Sequence, residues 1–499
     1  MFDHASAQDE MQKNSPTLPY DLIVVGAGVA GLNALFASTE YLSSDARVLL
    51  IDEKANAGGM WNTAYDYVRL HQPHPMFTVG NLKWDWNRPR DYLARRDEVR
   101  DHLSASLEPV AKAVNLETKF SRRVVSCKEI HDTEGFVAEV SCHPVDRPSD
   151  IATFRARRVI HAPGLNYRVA EPLALSSNNV VSVIPQDLRQ TLQDHPGTDV
   201  YVVGGGKTAM DTVLAVLEQD PARTVTMING RGTNFLNRTR FLPTGLKRWT
   251  SGALVSSLFR DIALSFDGTN GEATVGFFRE NFSTEPDAAN GVFLYGLQSE
   301  EELARISSGL TRRLPGYLAD IRDTDAGPEM QLRSGATETV RRGSIFVNCT
   351  GSFFRAEMQQ EHLPCISPHG TLVSINARDG FHFLTSVSGF FLVHLLFRDM
   401  LRGRGFYTMD HEKLFRQNRN AWVGASAAQA YLNQVIAVQS LPMMLLDRCG
   451  LDLDRWYPLP RRMAGLYRMK ARAAEDIAHC THALDVVAQR YDVHAAPLD

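Results

Sequence analysis

Two glycine-rich loops carry the first legible chemistry of this chain. Gly26-Ala27-Gly28-Val29-Ala30-Gly31 has the spacing G-x-G-x-x-G, and Gly204-Gly205-Gly206-Lys207-Thr208-Ala209 has the spacing G-x-G-x-x-A. In the first, Gly26 allows a tight turn, Gly28 lets the backbone approach a pyrophosphate, and Gly31 lets helix and strand pack closely. A helix starting at such a loop offers free N–H groups and a partial positive charge to phosphate. Asp52, with Glu53 beside it, follows the first loop by ~20 residues, where a carboxylate can hold ribose hydroxyls. Both loops therefore read as dinucleotide sites.

Such loops need a strand before and a helix after, and the sequence supplies both. Tyr20–Val25 and Arg47–Ile51 are aliphatic runs of the kind found in buried parallel strands, with an apolar helix over Leu32–Leu42 between them. The unit repeats as strand Asp199–Val203, helix Met210–Gln219 and strand Thr224–Ile228. Gly58-Gly59-Met60-Trp61 follows Asp52 and suits an extended FAD motif. FAD contacts are therefore expected at Gly26, Gly28, Val29, Ala30, Gly31, Asp52, Glu53, Gly59, Met60 and Trp61.

The second repeat ends in Asn229-Gly230-Arg231 instead of an acid. A guanidinium can grip a 2′-phosphate that a carboxylate would repel. NADPH is therefore favoured over NADH, with contacts at Gly204, Gly206, Lys207, Thr208, Ala209 and Arg231. The other reading of Arg231 is a solvated surface residue. The Gly206-Lys207-Thr208 triplet is not a P-loop, because Tyr201 stands where that motif needs glycine.

Arg158–Gly164 and Ser344–Gly351 read as strands closing on glycine turns. Each is expected to return the chain to the FAD domain, with Gly164 and Gly351 at the cofactor. The expected fold class is α/β: two Rossmann-like dinucleotide-binding domains, with the FAD domain discontinuous and the NAD(P) domain inserted in it, plus a C-terminal helical extension. The expected boundaries are a disordered tail over 1–19, FAD domain over 20–165 and 342–405, NADP domain over 166–341 with a helical insertion at about 234–313, and helices over 406–499. Gly252–Leu264 in the insertion reads as an amphipathic helix. Capping the active site and plain packing are equally open for it, and it lacks the basic face of a membrane-surface helix. Arg461–Arg490 is basic with apolar residues at helical spacing, so a dimer or partner face and a domain-covering helix both fit.

The chain has 499 residues, too many for one hydrophobic core, and a net charge of −4, unlike a basic nucleic-acid binder. Its 6 cysteines are scattered with no C-x-x-C pair, which points to free thiols and away from disulfide reduction. No run reaches the ~18 apolar residues of a membrane span, and the polar start is unlike a signal peptide, so a cytoplasmic location is expected. His71 and His74 stand among Pro73 and Pro75 without matched cysteines or carboxylates, and no metal is expected.

Together these features resemble the class B flavin monooxygenases: the flavin-containing, plant YUCCA-type and Baeyer–Villiger enzymes. The resemblance covers roughly Asp21–Leu246 and Arg342–Leu401. Gly58-Gly59-Met60-Trp61 resembles their G-G-x-W. Tyr65-Asp66-Tyr67-Val68-Arg69-Leu70-His71 resembles Y-D-x-x-x-L-H. Arg96–Val110 with the strand Arg123–Lys128, and the loop Val203–Asp211, resemble further family segments. The family fingerprint F-x-G-x-x-x-H-aromatic is not kept: Pro185 stands where the histidine is expected and Leu188 where the aromatic is, and Pro163 replaces a threonine in the first glycine turn.

The resemblance implies an FAD- and NADPH-dependent monooxygenase. It would use O2 on a small organic substrate, at a nitrogen, sulfur or carbonyl centre, through a flavin C4a-(hydro)peroxide. His71 and Trp61 become near-flavin candidates, with core packing as their other reading, as for His74 and Trp84-Asp85-Trp86. A helix over Gly389–Leu401 would aim its N-terminus at the flavin. The lost histidine keeps open an FAD oxidase or dehydrogenase without oxygen insertion, and a non-catalytic flavin-binding protein. A homodimer is also open.

Overall fold

The computed structural model describes residues 19–133, 135–164, 170–285, 291–351, 365–376, 378, 380–382, 384–448 and 452–498. Nearly all of the expected N-terminal tail, and Cys449, lie outside the described residues.

The strand Tyr20–Val25 forms where expected, inside a seven-stranded sheet. Arg47–Ile51 and Ala152–His161 flank it in parallel, and Asn115–Lys119 continues the sheet beyond Arg47–Ile51. Leu22, Ile23, Leu49 and Leu50 are fully buried, as strands covered on both faces require. The outer edge of Ala152–His161 is shared. Its first half pairs antiparallel with Gly135–Pro144, and its end pairs in parallel with Leu372–Ser374.

The helix after the first loop runs Val29–Ser38, starting earlier than the apolar pattern suggested because Gly28 caps it. A second helix, Thr385–Phe397, lies against it. This helix replaces the expected Gly389–Leu401: it begins a turn earlier and ends at Arg398, with Asp399 in the left-handed region (φ +53°). The two helices meet at Gly389, where a Cβ would fall 2.6 Å from the Ala30 carbonyl oxygen.

The second sheet has five parallel strands, in the order Arg312–Leu314, Val225–Ile228, Val200–Val203, Ile345–Asn348, Val181–Val183. This corrects one expected boundary. Ile345–Asn348 does not return to the first sheet but fills the gap between Val200–Val203 and Val181–Val183. Its four residues are all buried, which suits a central strand. The second unit therefore runs to Asn348, and Leu372–Ser374 is the described strand that rejoins the first sheet.

The expected insertion and the C-terminal extension form one helical body. Val255–Ser265 and Gly271–Phe282 pack on Arg419–Ser440, which also packs on Ala473–Tyr491. Arg419–Ser440 is buried without a break from Ala421 to Val438. Arg260 pairs with buried Asp476 at 2.8 Å, and Tyr431 donates to the same carboxylate at 2.8 Å. The end of the chain is not wholly helical, since Tyr407–Met409 pairs antiparallel with Ala495–Pro497. The basic stretch Arg461–Arg490 is two helices, Leu459–Ala471 and Ala473–Tyr491.

Gly389→Ala places a methyl against backbone that cannot rotate aside. The expected loss is ~1–3 kcal/mol, read as a lower urea midpoint. An unchanged midpoint would argue against this helix contact.

Candidate cofactor sites and the seam between them

The first loop is built from backbone contacts that side chains would block. Gly26 has φ +102°, and a Cβ on it would lie 2.1 Å from the Ala162 carbonyl oxygen. A Cβ on Gly31 would lie 1.9 Å from the Gly26 carbonyl oxygen. The second glycine pair docks on the same loop. Gly58 N–H donates to the Ala27 carbonyl at 2.8 Å, and a Cβ on Gly59 would stand 2.7 Å from Gly28 Cα. No side chain caps the helix at Gly28, so its first-turn amides have no side-chain acceptor there.

Asp52 holds this loop. Its Oδ2 accepts from Ala27 N–H at 2.5 Å and its Oδ1 from Lys54 N–H at 2.6 Å. Burial pushes its carboxyl upward, and the two N–H bonds oppose that shift. A carboxylate has about four lone-pair sites, so capacity for ribose hydroxyls remains. Glu53 turns outward to Arg123 at 3.3 Å. Met60 is exposed, and Trp61 is buried edge-on to Phe77 with ring centroids 5.7 Å apart. Gly164 has φ +76° just beyond the strand Ala152–His161. Gly351 is exposed and follows a strand of the second sheet, not the first.

The second loop repeats the design. Gly204 has φ +132°, with the Cys349 carbonyl oxygen 2.7 Å from where a Cβ would be. Gly206 caps the helix Lys207–Gln219 without a side-chain bond. Thr208 and Ala209 lie in its first turn, with Ala209 buried. Arg231 is exposed beyond Gly230, whose Cβ position is closed by the Tyr317 ring at 2.8 Å. Buried Pro185 starts a 3-10 turn after the edge strand, and Leu188 is buried just beyond it.

Lys207 departs from expectation. Its ammonium turns back to Asp211 at 2.9 Å, with Glu302 at 3.8 Å, and Glu302 also holds Arg238 at 3.0 Å. The first domain closes over this cluster. Tyr65 donates to Asp211 at 2.9 Å, Tyr67 hydroxyl lies 3.0 Å from Thr212 Oγ1, and Arg238 donates to the His71 carbonyl at 3.1 Å. The segment Tyr65–His71 is thus fastened to the helix Lys207–Gln219, and the near-flavin candidate His71 stands in this seam beside Lys207 and Arg238.

Electrostatics follow from burial. Desolvation pushes Asp211 upward against the pull of Lys207. Burial also works against ionised Glu302, but Lys207, Arg238 and the Ser299 N–H outweigh it and hold that carboxyl low. Burial first, and then Lys207 and Arg238, lower His71 to about 3, so its imidazole is neutral at pH 7. His74 is taken up differently, edge-on to Trp84 and Trp86 at 5.4 and 5.1 Å.

Asp211, Glu302 and Arg238 were not singled out from sequence. Two signals pointed to the acids. Lys207 and Asp211 are spaced i,i+4 on a helix, and Ser299-x-x-Glu302 is a capping box, with both reciprocal bonds formed at 3.0 and 3.1 Å. Arg238 gave none, because its partners come from distant segments.

With two glycine loops, each leading a parallel strand into a helix, the relatives can be read. Residues 20–247 match the profile of the pyridine nucleotide-disulphide oxidoreductase family. The matched stretch is a little under half of the chain. An uncharacterized protein of Mycobacterium tuberculosis is 32% identical over 223 residues, covering 42% of this chain and 38% of the relative; a Mycobacterium bovis protein matches equally. The match thus spans well under half of those relatives' length. Among solved structures, the reduced ornithine hydroxylase of Pseudomonas aeruginosa is 14% identical over 76% of this chain and 99% of its own (TM-score 0.49). The FAD-bound cadaverine monooxygenase of Erwinia amylovora is 15% identical over 77% and 95% (TM-score 0.49). A flavin-containing monooxygenase of Stenotrophomonas maltophilia is 16% identical over 76% and 97% (TM-score 0.44).

Two predictions follow from the buried charges. Lys207→Met leaves buried Asp211 without its ammonium partner and Glu302 with Arg238, and should cost ~3–5 kcal/mol in urea unfolding; a loss under ~1 kcal/mol would show that the pairs are not held together in solution. The unfolded chain takes up a proton at His71 near pH 6.5, whereas the folded chain resists until about pH 3. Stability contributed by neutral His71 is therefore lost as pH falls through that window. His71→Gln should flatten the fall in urea midpoint between neutral pH and about pH 5, and an unaltered slope would contradict it.

Proposed function

We propose that this chain is an FAD-dependent oxidoreductase reduced by NADPH, which uses O2 to oxygenate a small organic substrate at a nitrogen, sulfur or carbonyl centre. The observation that carries the reading is the pair of glycine loops, each with an uncapped helix start, joined by the Tyr65–His71 segment. The first loop suits FAD. A Cβ at Gly26, Gly31 or Gly59 would collide with backbone, and this leaves the close approach that a diphosphate needs. The amides of Gly28, Val29 and Ala30 would take the diphosphate, and the remaining lone pairs of Asp52 the ribose. FAD, when bound, supplies the ring that accepts hydride and, once reduced, reacts with oxygen.

The chain's own part is positioning and exclusion of water. Gly206, Thr208 and Ala209 would present the second helix start to NADPH, and exposed Arg231 its 2′-phosphate. Neutral His71 offers a hydrogen bond without a charge at the seam. Asp211, Lys207, Glu302 and Arg238 fix the spacing of the two nucleotide sites.

A second reading is an FAD oxidase or dehydrogenase without oxygen insertion. Pro185 favours it: a buried proline with no side-chain donor stands where the related enzymes carry histidine. Anaerobic reduction with NADPH against NADH, then air with amines, sulfides and ketones, decides between them. The lead reading expects yellow protein, faster reduction by NADPH and an oxygenated product. H2O2 with no oxygenated product supports the second reading, and colourless protein that binds no FAD ends both. Arg231→Ala should raise KM for NADPH ~10-fold or more and leave NADH unchanged, the effect of a lost charge-assisted pair. Equal effects on both nucleotides would remove Arg231 from the site.

A further inference from the structure

Several large apolar side chains of this protein point outward, and five of them lie on two segments fastened together. Leu246 is 83% exposed and Trp249 57%, at either end of the short turn around Lys247–Thr250. Leu459 is 59% exposed, Met463 45% and Tyr467 75%, spaced i, i+4, i+8 along one side of the helix Leu459–Ala471. That helix buries Gly465 and Met469 and turns its larger apolar stripe away from the core, the reverse of an ordinary surface helix. Arg461 donates to the carbonyls of Arg248 (3.1 Å) and Gly252 (2.9 Å), and Arg248 donates to the Trp456 carbonyl at 2.8 Å. The two segments therefore present their apolar groups as parts of one fixed surface.

Cations surround these groups. Neither 244–260 nor 455–474 contains an acid, while they hold Lys247, Arg248, Arg461, Arg468, Lys470 and Arg472 among others. Of the nearby carboxylates, Asp452 is held by Arg462 at 2.8 Å and Asp454 by Ser256 N–H at 3.1 Å, while exposed Asp261 lies within the field of Arg260 and Arg468. Arg90 and Arg248 both lie over the Trp456 ring, at 5.0 and 5.2 Å, adding charge at the rim.

We propose that this face docks on the surface of an anionic phospholipid bilayer. Leu, Met, Trp and Tyr interleaved with Lys and Arg match an interface that is apolar just below and anionic at headgroup level. A two-fold contact between copies would press the same cations together. The proposal concerns attachment and is independent of the reaction proposed above. The surface is nonetheless tied to the seam. Trp456 Nε1 donates to the Pro243 carbonyl at 2.7 Å and Tyr457 hydroxyl to the Phe241 carbonyl at 2.8 Å, and Phe241 ends the short helix that starts at Arg238.

The test is co-sedimentation of the full chain with vesicles of mixed phosphatidylglycerol and phosphatidylcholine, against phosphatidylcholine alone. Binding is expected to the anionic vesicles, falling steeply as salt is raised. Trp249→Ser with Tyr467→Ser, and separately Arg468→Glu with Lys470→Glu, should each weaken it ~10-fold or more at unchanged melting temperature, since all four side chains are at the surface. Absence of binding to anionic vesicles overturns the proposal, as do variants that bind like the parent. Concentration-dependent self-association abolished by the serine variants would also overturn it, in favour of a contact between copies.

Discussion

The fold depends on how closely main chain can approach main chain at the first glycine loop. Three segments meet there without side chains between them: the turn at Gly26 against Ala162, the helix start at Gly31 against Gly26, and Gly59 against Gly28. Each contact belongs to a different part of the unit: the strand that rejoins the sheet, the crossover helix and the second glycine pair. A methyl group at any of them would meet backbone that has no rotamer to adopt. The same economy of space continues outward, since Gly389 brings Thr385–Phe397 onto Ala30 at the other side of the helix. The packing around this helix start is main chain against main chain, and no side chain caps it.

The second constraint is charge. Asp211, Glu302, Lys207 and Arg238 gather in a half-dry seam where an isolated ion would be costly, and each is acceptable only because the others are present. This explains why a lysine that follows a glycine-rich loop turns back into the protein. In water it would extend to a phosphate. With two carboxylates within reach and little solvent, the nearer partners win. Tyr65 and Tyr67 then add hydrogen bonds from the first domain, so the cluster sets how the two loops stand relative to one another.

Much of this was legible in the sequence, and the divide is physical. Both loops, their strands and their helices were readable because local rules dictate them: glycines where φ is positive, aliphatic runs where both faces are covered. The starts of the helices at Val29 and Lys207 came earlier than the apolar pattern because a glycine cap, not a hydrophobic residue, begins them. Ile345–Asn348 was assigned to the wrong sheet because a buried aliphatic strand looks the same in either. The seam was largely illegible: Tyr65, Asp211, Arg238 and Glu302 are separated by long stretches of chain, and only their meeting makes a site. For the same reason Val255–Ser265 and Arg419–Ser440 read as separate appendages, although each is half of one core.

Asp52 shows how one residue can serve both levels. An acid at the end of the second strand was read as a ribose ligand, and its two oxygens are each bonded to a backbone N–H, one in the glycine loop and one in its own turn. These roles are compatible. The bonds to Ala27 and Lys54 fix the carboxylate's orientation and oppose the upward push of burial, which still leaves the carboxyl raised. A glutamate would carry the acceptor further from Ala27, and an asparagine would put a donor against one of the two N–H groups. The residue type is therefore set by the loop it holds.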